Sequence, residues 1–334
     1  MRQFLYIKSN LALIKVVILI ITIFSLVSCF DPFGNHNSKF PLAQDSLRHQ
    51  DSSSVNFFVL SDWGFTGNFG QKNVAEEMAK ISKLVGIKFI LTCGDNFQYS
   101  GVQSVSDPLW ADNFEKIYND SALHVLWYPA LGNHDYYGNP DAEVEYSSIS
   151  KYWKMPDRYY SFRQKINDRI SIRFITLDTQ GLINSYRNLS DTLQLDSIKQ
   201  YVWFRKLLQE STEKWIIVTG HHPVFSASTF HGDTYEMIKL IKPLFDQYKV
   251  DFYVCGHDHD FEHTKDKSEY TDYIVTGTGG YPRSIGSNDR TIYSLSSLGF
   301  SYFKMSGDTI QMYFITDEGR IGYGYKKVKS GTSK

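Results

Sequence analysis

Four short apolar runs in this chain each end in a glycine beside a side chain able to bind a metal. They stop at Gly94-Asp95, Gly132-Asn133-His134, Gly220-His221 and Gly256-His257-Asp258-His259. A fifth run, Val55–Leu60, stops at Asp62, with Gly64 two residues on. Glycine lets the backbone turn sharply just past a sheet edge. The neighbouring side chain is then projected into the crevice at the carboxyl ends of the strands, where open α/β sheets bind ligands. Six of the ten histidines fall between His221 and His263, a clustering that surface decoration does not explain. Asp-X-Gly, Gly-Asp or Asn-His alone is an ordinary turn, and Gly256-His257-Asp258-His259, a stronger signal, could alone be a surface pair. The ordered set, each member after an apolar run, demands a fold that gathers strand ends in one place.

Strand-like and helix-like patterns alternate along the rest of the chain. The runs 55–60, 88–92, 124–131, 215–219 and 250–255 are strand-like, and 170–177 alternates at period two, which predicts a half-buried strand. Val74, Met78, Ile81 and Val85 recur at helical spacing, while Leu195, Ile198, Val202 and Leu208 mark the apolar side of a second helix. Pro243 lacks an amide hydrogen and should kink or split a helix over Tyr235–Tyr248. From Tyr273 to Val328, short alternating runs broken by Gly and Asp predict antiparallel hairpins. With 334 residues, 42% of them hydrophobic and 21% charged, the chain can fill a sizeable core, which excludes disorder, collagen-like repeats and coiled coil. Aromatics at 16% lean toward sheet. The expected fold is one α/β (α+β) domain over 55–334, a four-layer sandwich of two packed mixed sheets flanked by helices.

The first residues are a separate matter. Arg2, Lys8 and Lys15 precede an apolar run from Val16 to Val27 that ends at Ser28-Cys29, the pattern of an export signal over 1–28. Leu26-Val27-Ser28-Cys29 resembles the lipobox of bacterial lipoproteins, which implies a lipid on Cys29, membrane attachment and a place in the cell envelope. Residues 29–54 then read as a polar, flexible tether. Removing 1–28 takes away three basic and no acidic residues, which moves the net charge from −1 to −4, and neither value advertises nucleic-acid binding. Cys93 and Cys255 remain, and both are expected as buried free thiols in a chain taken as a monomer.

Carboxylate, amide and imidazole donors suit iron, manganese or zinc. Two such ions close together need a shared anionic bridge. A pair of this kind lowers the pKa of a bound water and clamps the oxygens of an in-line displacement at phosphorus. The expected chemistry is hydrolysis of a phosphate ester by a metal-activated hydroxide.

The blocks Ser61-Asp62-Trp63-Gly64, Gly94-Asp95-Asn96-Phe97, Leu131-Gly132-Asn133-His134-Asp135, Gly220-His221-His222-Pro223 and Gly256-His257-Asp258-His259 resemble the calcineurin-like metallophosphoesterases. More narrowly they are similar to the small tartrate-resistant, or purple, acid phosphatases. The resemblance implies a phosphomonoesterase acting on small phosphate esters, with iron at one metal site and iron, zinc or manganese at the other. It implies that Asp62, Asp95 and His259 hold one ion, and that Asp95 bridges to a second ion held by Asn133, His221 and His257. Asn133, His134 and His231 would touch the substrate, with His134 and His231 assisting the leaving group. Asp135 would orient the His134 ring, while His222 and His263 have no counterpart and read as supporting or surface residues. In that family a tyrosine three residues after the bridging aspartate binds ferric iron and gives the colour. Here that position is Gln98, and Tyr99 stands one place later, so either residue would sit beside the metals without a ferric-tyrosinate being expected. Two rivals differ in chemistry. Arg283, at the end of a loop over 277–283, would grip a second phosphate in a phosphodiesterase or nucleotide pyrophosphatase, whereas a non-catalytic surface lipoprotein would keep only the scaffold.

Overall fold

The computed structural model describes residues 40–47, 54–186 and 191–329, and side chains outside 184–186 and 191–195. The expected signal, Cys29 and most of the expected tether lie outside the described residues. Thirteen strands occur among those described. The first seven are β1 (Val55–Leu60), β2 (Phe89–Cys93), β3 (Leu126–Ala130), β4 (Tyr160–Lys165), β5 (Ser171–Thr176), β6 (Trp215–Thr219) and β7 (Phe252–Cys255). They are followed by β8 (Phe261–Thr264), β9 (Asp272–Thr276), β10 (Thr291–Leu295), β11 (Gly299–Ser306), β12 (Thr309–Thr316) and β13 (Ile321–Val328). One sheet has the order β13-β12-β11-β1-β2-β3 and the other β10-β8-β9-β7-β6-β5-β4. Both are mixed: β1, β2 and β3 run parallel, as do β5, β6, β7 and β9, and the remaining pairings are antiparallel.

Period-two alternation divides the core into three slabs. From β1, Phe57 and Val59 face the second sheet and pack with Phe174, Ile217 and Val254, while Phe58 and Leu60 face outward onto a helix. Phe57 anchors the middle slab, stacking on Phe89 and Phe303 with ring centroids 5.0 and 5.1 Å apart and meeting Phe174 edge-on at 5.2 Å. The outer face of the first sheet is covered by α2 (Gln71–Val85), following a short α1 (Ala43–Ser46), and it buries Val74, Met78, Ile81 and Val85 as their spacing predicts. Past α3 (Pro140–Tyr146), the outer face of the second sheet is covered by α4 (Thr179–Tyr186), α5 (Asp191–Glu210), α6 (Tyr235–Leu240) and α7 (Lys242–Tyr248). Pro243 does split its helix, opening α7 where its missing N–H costs nothing. The fold is the expected four-layer sandwich of two mixed sheets flanked by helices.

Three expectations need correction. On α5, Ile198 and Val202 are each 59% exposed, and the inward stripe is Ser197, Gln200, Phe204 and Leu208. Gln200 faces in because its amide clasps the end of β5, accepting from the Asp178 amide (2.9 Å) and donating to the Asp178 carbonyl (3.1 Å). The strand over 170–177 is buried on both faces along β5, since a sheet covers one side and helices the other. Within the expected tether, residues 40–47 are docked: Ala43 is fully buried, its amide donates to the Gly319 carbonyl at 2.7 Å, and the Ile321 amide donates to the Pro41 carbonyl at 2.9 Å. The folded part therefore reaches back before Val55. Cys93 and Cys255 are free and buried, as expected.

Candidate metal centre

The carboxyl ends of β1, β2 and β3 in one sheet and of β6 and β7 in the other open on the same crevice; the first four each deliver one motif residue just past the strand, and β7 delivers two, His257 and His259. Three of the six are held in the left-handed backbone region, Asp62 at φ 55°, Asp95 at φ 49° and His257 at φ 70°. Such a backbone costs about 1–2 kcal/mol per non-glycine residue, and its concentration here marks a constrained site. The glycines make room rather than merely turn. A Cβ on Gly132 would collide with the Asp95 carboxylate, and one on Gly256 with the Asp62 carboxylate and the Ser61 hydroxyl.

The six side chains meet. Asp62 Oδ1 lies 3.4 Å from His259 Nε2, and Asp95 Oδ1 lies 3.4 Å from His221 Nε2. His221 Nε2 is also 3.0 Å from Asn133 Oδ1 and 3.2 Å from His257 Nδ1. Candidate ligand atoms of Asp62, Asp95 and His221 all fall within 4.8 Å of one another. Backbone carbonyls fix two of the rings. His221 Nδ1 is 2.9 Å from the Cys93 carbonyl and His259 Nδ1 is 2.8 Å from the Tyr281 carbonyl. A carbonyl only accepts, so in each ring Nδ1 carries the hydrogen and Nε2 turns a lone pair toward the cluster.

Lone pairs therefore converge on one another. Asp62 Oδ1 is buried with no hydrogen-bond partner. Burial, then the nearby Asp95 charge, pushes the Asp62 carboxyl well above its usual range. Burial pulls His221 down, and burial together with the surrounding imidazoles pulls His257 far down. His259 falls to about 3, through burial first and the Arg283 guanidinium second. The Asp62 and Asp95 carboxylates, the Asn133 amide oxygen and the Nε2 lone pairs of His221 and His259 are drawn together out of water, a set of ligand atoms that suits metal cations.

The other expected site residues fall as follows. The His134 amide donates to Asp95 Oδ1 (2.9 Å), and the His134 ring Nε2 lies 3.9 Å from Asp95 Oδ2. Asp135 does not serve that ring. Its carboxylate accepts from the amides of Gly132, Phe97 and Asn96, clamping two ligand loops together. Gln98 is buried with an unpartnered Oε1, whereas Tyr99 is 55% exposed and packs edge-on against Phe65, so the loop does not shift to bring Tyr99 in. His231 stacks on His257 at 4.0 Å; burial, with Arg283 adding to it, lowers its pKa. His222 and His263 are both buried rather than superficial. His222 lies beside His257, its Nδ1 2.9 Å from Thr179 Oγ1, and His263 bonds Asp272 and Tyr323 away from the cluster. A cavity of about 500 Å³ opens beside the cluster, lined by Asn133, His222, His231 and His257 together with Gln180 and Glu236. Gln180, Glu236 and Phe230 carry no sequence signal of their own, whereas the doubled histidine at 221–222 does.

Residues 55–261 match the family model for calcineurin-like phosphoesterases. The chain is 36% identical over 243 residues to rabbit (Oryctolagus cuniculus) tartrate-resistant acid phosphatase type 5, covering 68% of this chain and 74% of the relative. The human protein of the same name is 31% identical over 298 residues, 85% of this chain and 87% of its own length. Purple acid phosphatase 3 of Arabidopsis thaliana is 31% identical over 290 residues, covering 83% of this chain and 77% of the relative. Among solved structures, the fold is shared with GAP50, the anchor in the inner membrane complex of Plasmodium, at a TM-score of 0.75 and 23% identity over 84% of this chain and 90% of that one. It is also shared with the yellow lupin purple acid phosphatase PPD1, at a TM-score of 0.62 and 18% identity over 82% of this chain and 54% of that one. This chain belongs to the calcineurin-like phosphoesterase family, alongside the tartrate-resistant, or purple, acid phosphatases.

Proposed function

We propose that the protein is a phosphatase that hydrolyses small phosphate monoesters at a dinuclear metal centre. Asp62, Asp95 and His259 hold one cation; Asp95, Asn133, His221 and His257 hold the other. The observation that carries this reading is the meeting of six donors from five strand ends, with their lone pairs turned inward and Asp62 Oδ1 left without a partner. When bound, the two cations supply Lewis acidity and an activated water for in-line attack on phosphorus. The chain's own residues do the rest. Asp95 is fixed by the His134 amide, and His221 and His259 are fixed by carbonyls, so the ligands are preorganised. His134, at the edge of the cluster, is placed to hydrogen-bond a phosphoryl oxygen and to pass a proton to a departing alkoxide. His231, stacked on His257, lines the wall that the ester faces.

Asp95→Ala and His221→Ala are expected to lower kcat/KM for an aryl phosphate by at least about 10³-fold while circular dichroism stays native. Turnover at the wild-type rate in both variants would refute the assignment.

The lipobox-like Leu26-Val27-Ser28-Cys29 supports a lipid on Cys29 and a cell-envelope location. Among the described residues no helix is long and apolar enough to cross a membrane. In a bacterial host, Cys29→Ser is expected to move the protein from the membrane fraction to the soluble fraction. An unchanged distribution would refute the anchor.

A further inference from the structure

The loop after β9 carries a cation to the rim of the metal cluster and gives it no counter-charge. The Arg283 amide donates to the His259 carbonyl at 2.7 Å, and the Ser296 hydroxyl donates to the Arg283 carbonyl at 2.6 Å. With the His259 ring bonded to the Tyr281 carbonyl, the loop is locked to a candidate metal ligand on both sides. The guanidinium lies over the Phe230 ring, 4.1 Å from its centroid, and its Nη1 stands 3.5 Å from His231 Nε2. A guanidinium only donates, so His231 presents a lone pair there. Among the described residues no carboxylate pairs with Arg283, whereas Arg290, seven residues on, is paired with Asp233.

This placement is electrostatically unfavourable in itself. A fixed positive charge beside a site built for two cations repels them, and the acid that feels its charge, Asp62, is itself a candidate ligand of those cations. A cation–π contact, the approach to His231 Nε2 and a backbone clamp keep it in place. An anion bound between the cluster and the guanidinium reverses the sign of the effect, because it is attracted from both sides. Arg283 is also suited to phosphate, whose oxygens its fork of donors matches.

We propose that Arg283, mounted on Phe230 beside His231, forms a leaving-group subsite that binds a second phosphate and so sets substrate preference. The inference rests on the phosphatase reading of the neighbouring metal cluster. A diphosphate would place its terminal phosphoryl group at the metal ligands and its second phosphate on Arg283. Water oxygen bonds to the terminal phosphorus as the bridging P–O bond breaks, and the electron pair leaves on the bridging oxygen of the second phosphate. One proton from the water passes to solvent. The products are orthophosphate and the shortened phosphate, and the departing anion needs no proton because Arg283 neutralises it.

Titration calorimetry on the metal-containing protein as isolated, with methylenediphosphonate and orthophosphate as probes, tests this without turnover. The diphosphonate is expected to bind about 10- to 100-fold tighter than orthophosphate, the range of a charge-assisted hydrogen bond. Arg283→Ala should bring that ratio close to one, Arg283→Lys should restore part of it, and Phe230→Leu should weaken it. A ratio that survives in Arg283→Ala, or a wild-type protein with no preference, would overturn the subsite. Binding of both probes with the expected ratio, but no hydrolysis of any phosphate ester, would instead overturn the phosphatase reading and leave the subsite standing.

Discussion

Asp62, Asp95 and His257 accept a left-handed backbone in return for aiming their side chains at one another, and Gly132 and Gly256 leave the volume that two carboxylates fill. At this scale the sharpest question is Gln98. A neutral amide oxygen replaces the phenolate found at the matching place in the purple enzymes, and it is buried without a hydrogen-bond partner. Loaded with iron, the wild-type protein is expected to lack a phenolate-to-iron visible band, and Gln98→Tyr is expected to gain one. A visible spectrum checks both, and a band already present in the wild type would mean that another phenolate reaches the metal. The metal-capable residues were legible in the sequence because each stands within three residues of a glycine at a strand end. The pairing of Arg283 with Phe230 and His231 was not, because it joins segments about 50 residues apart and leaves no local pattern. The buried place of His222 was hidden for a related reason, since its ring is held by Thr179 at the start of α4, 43 residues earlier.

Strands with strong apolar runs, such as β1, β6 and β7, were readable, whereas β4 (YSFRQK) was not. It lies at a sheet edge, pairs only with β5 and needs few apolar residues. The same limit misplaced the inner face of α5, where Gln200 faces in beside Phe204 and Leu208 to bind Asp178. A buried polar network centres on Asp272. Asp272 on β9 is 3.0 Å from His263 Nε2 on β8 and 2.8 Å from Lys327 Nζ on β13, so it ties the two sheets together. Burial alone would raise its carboxyl, but the His263 hydrogen bond and Lys327 outweigh it and hold it well below the usual range. In the unfolded chain the group titrates near pH ~4. Its stabilisation is therefore complete above about pH 5 and is lost as the pH falls below that unfolded value. Asp272→Asn, which removes the carboxylate from buried Lys327 and leaves it the Asp251 and Tyr270 carbonyls, should cost about 3 kcal/mol at pH 7 and lose less stability than the wild type on going to pH 3. Denaturant melts at both pH values check this, and equal acid losses in the two proteins would refute it.

At the scale of the molecule, two sheets packed face to face put five strand ends around one crevice, and the loops between them supply everything chemical. Fold class was legible because alternating elements with apolar runs allow few architectures. The tether boundary was not, since Pro41 and Ala43 dock through backbone hydrogen bonds that no hydropathy pattern reports. The central claim is that Asp95 is shared by two cations held between the sheets. Elemental analysis of the purified protein beside its Asp95→Ala variant tests it most directly. Two ions per wild-type chain, falling to one or none in the folded variant, are predicted; a wild-type chain that binds no metal, or a variant that keeps both ions, would contradict it.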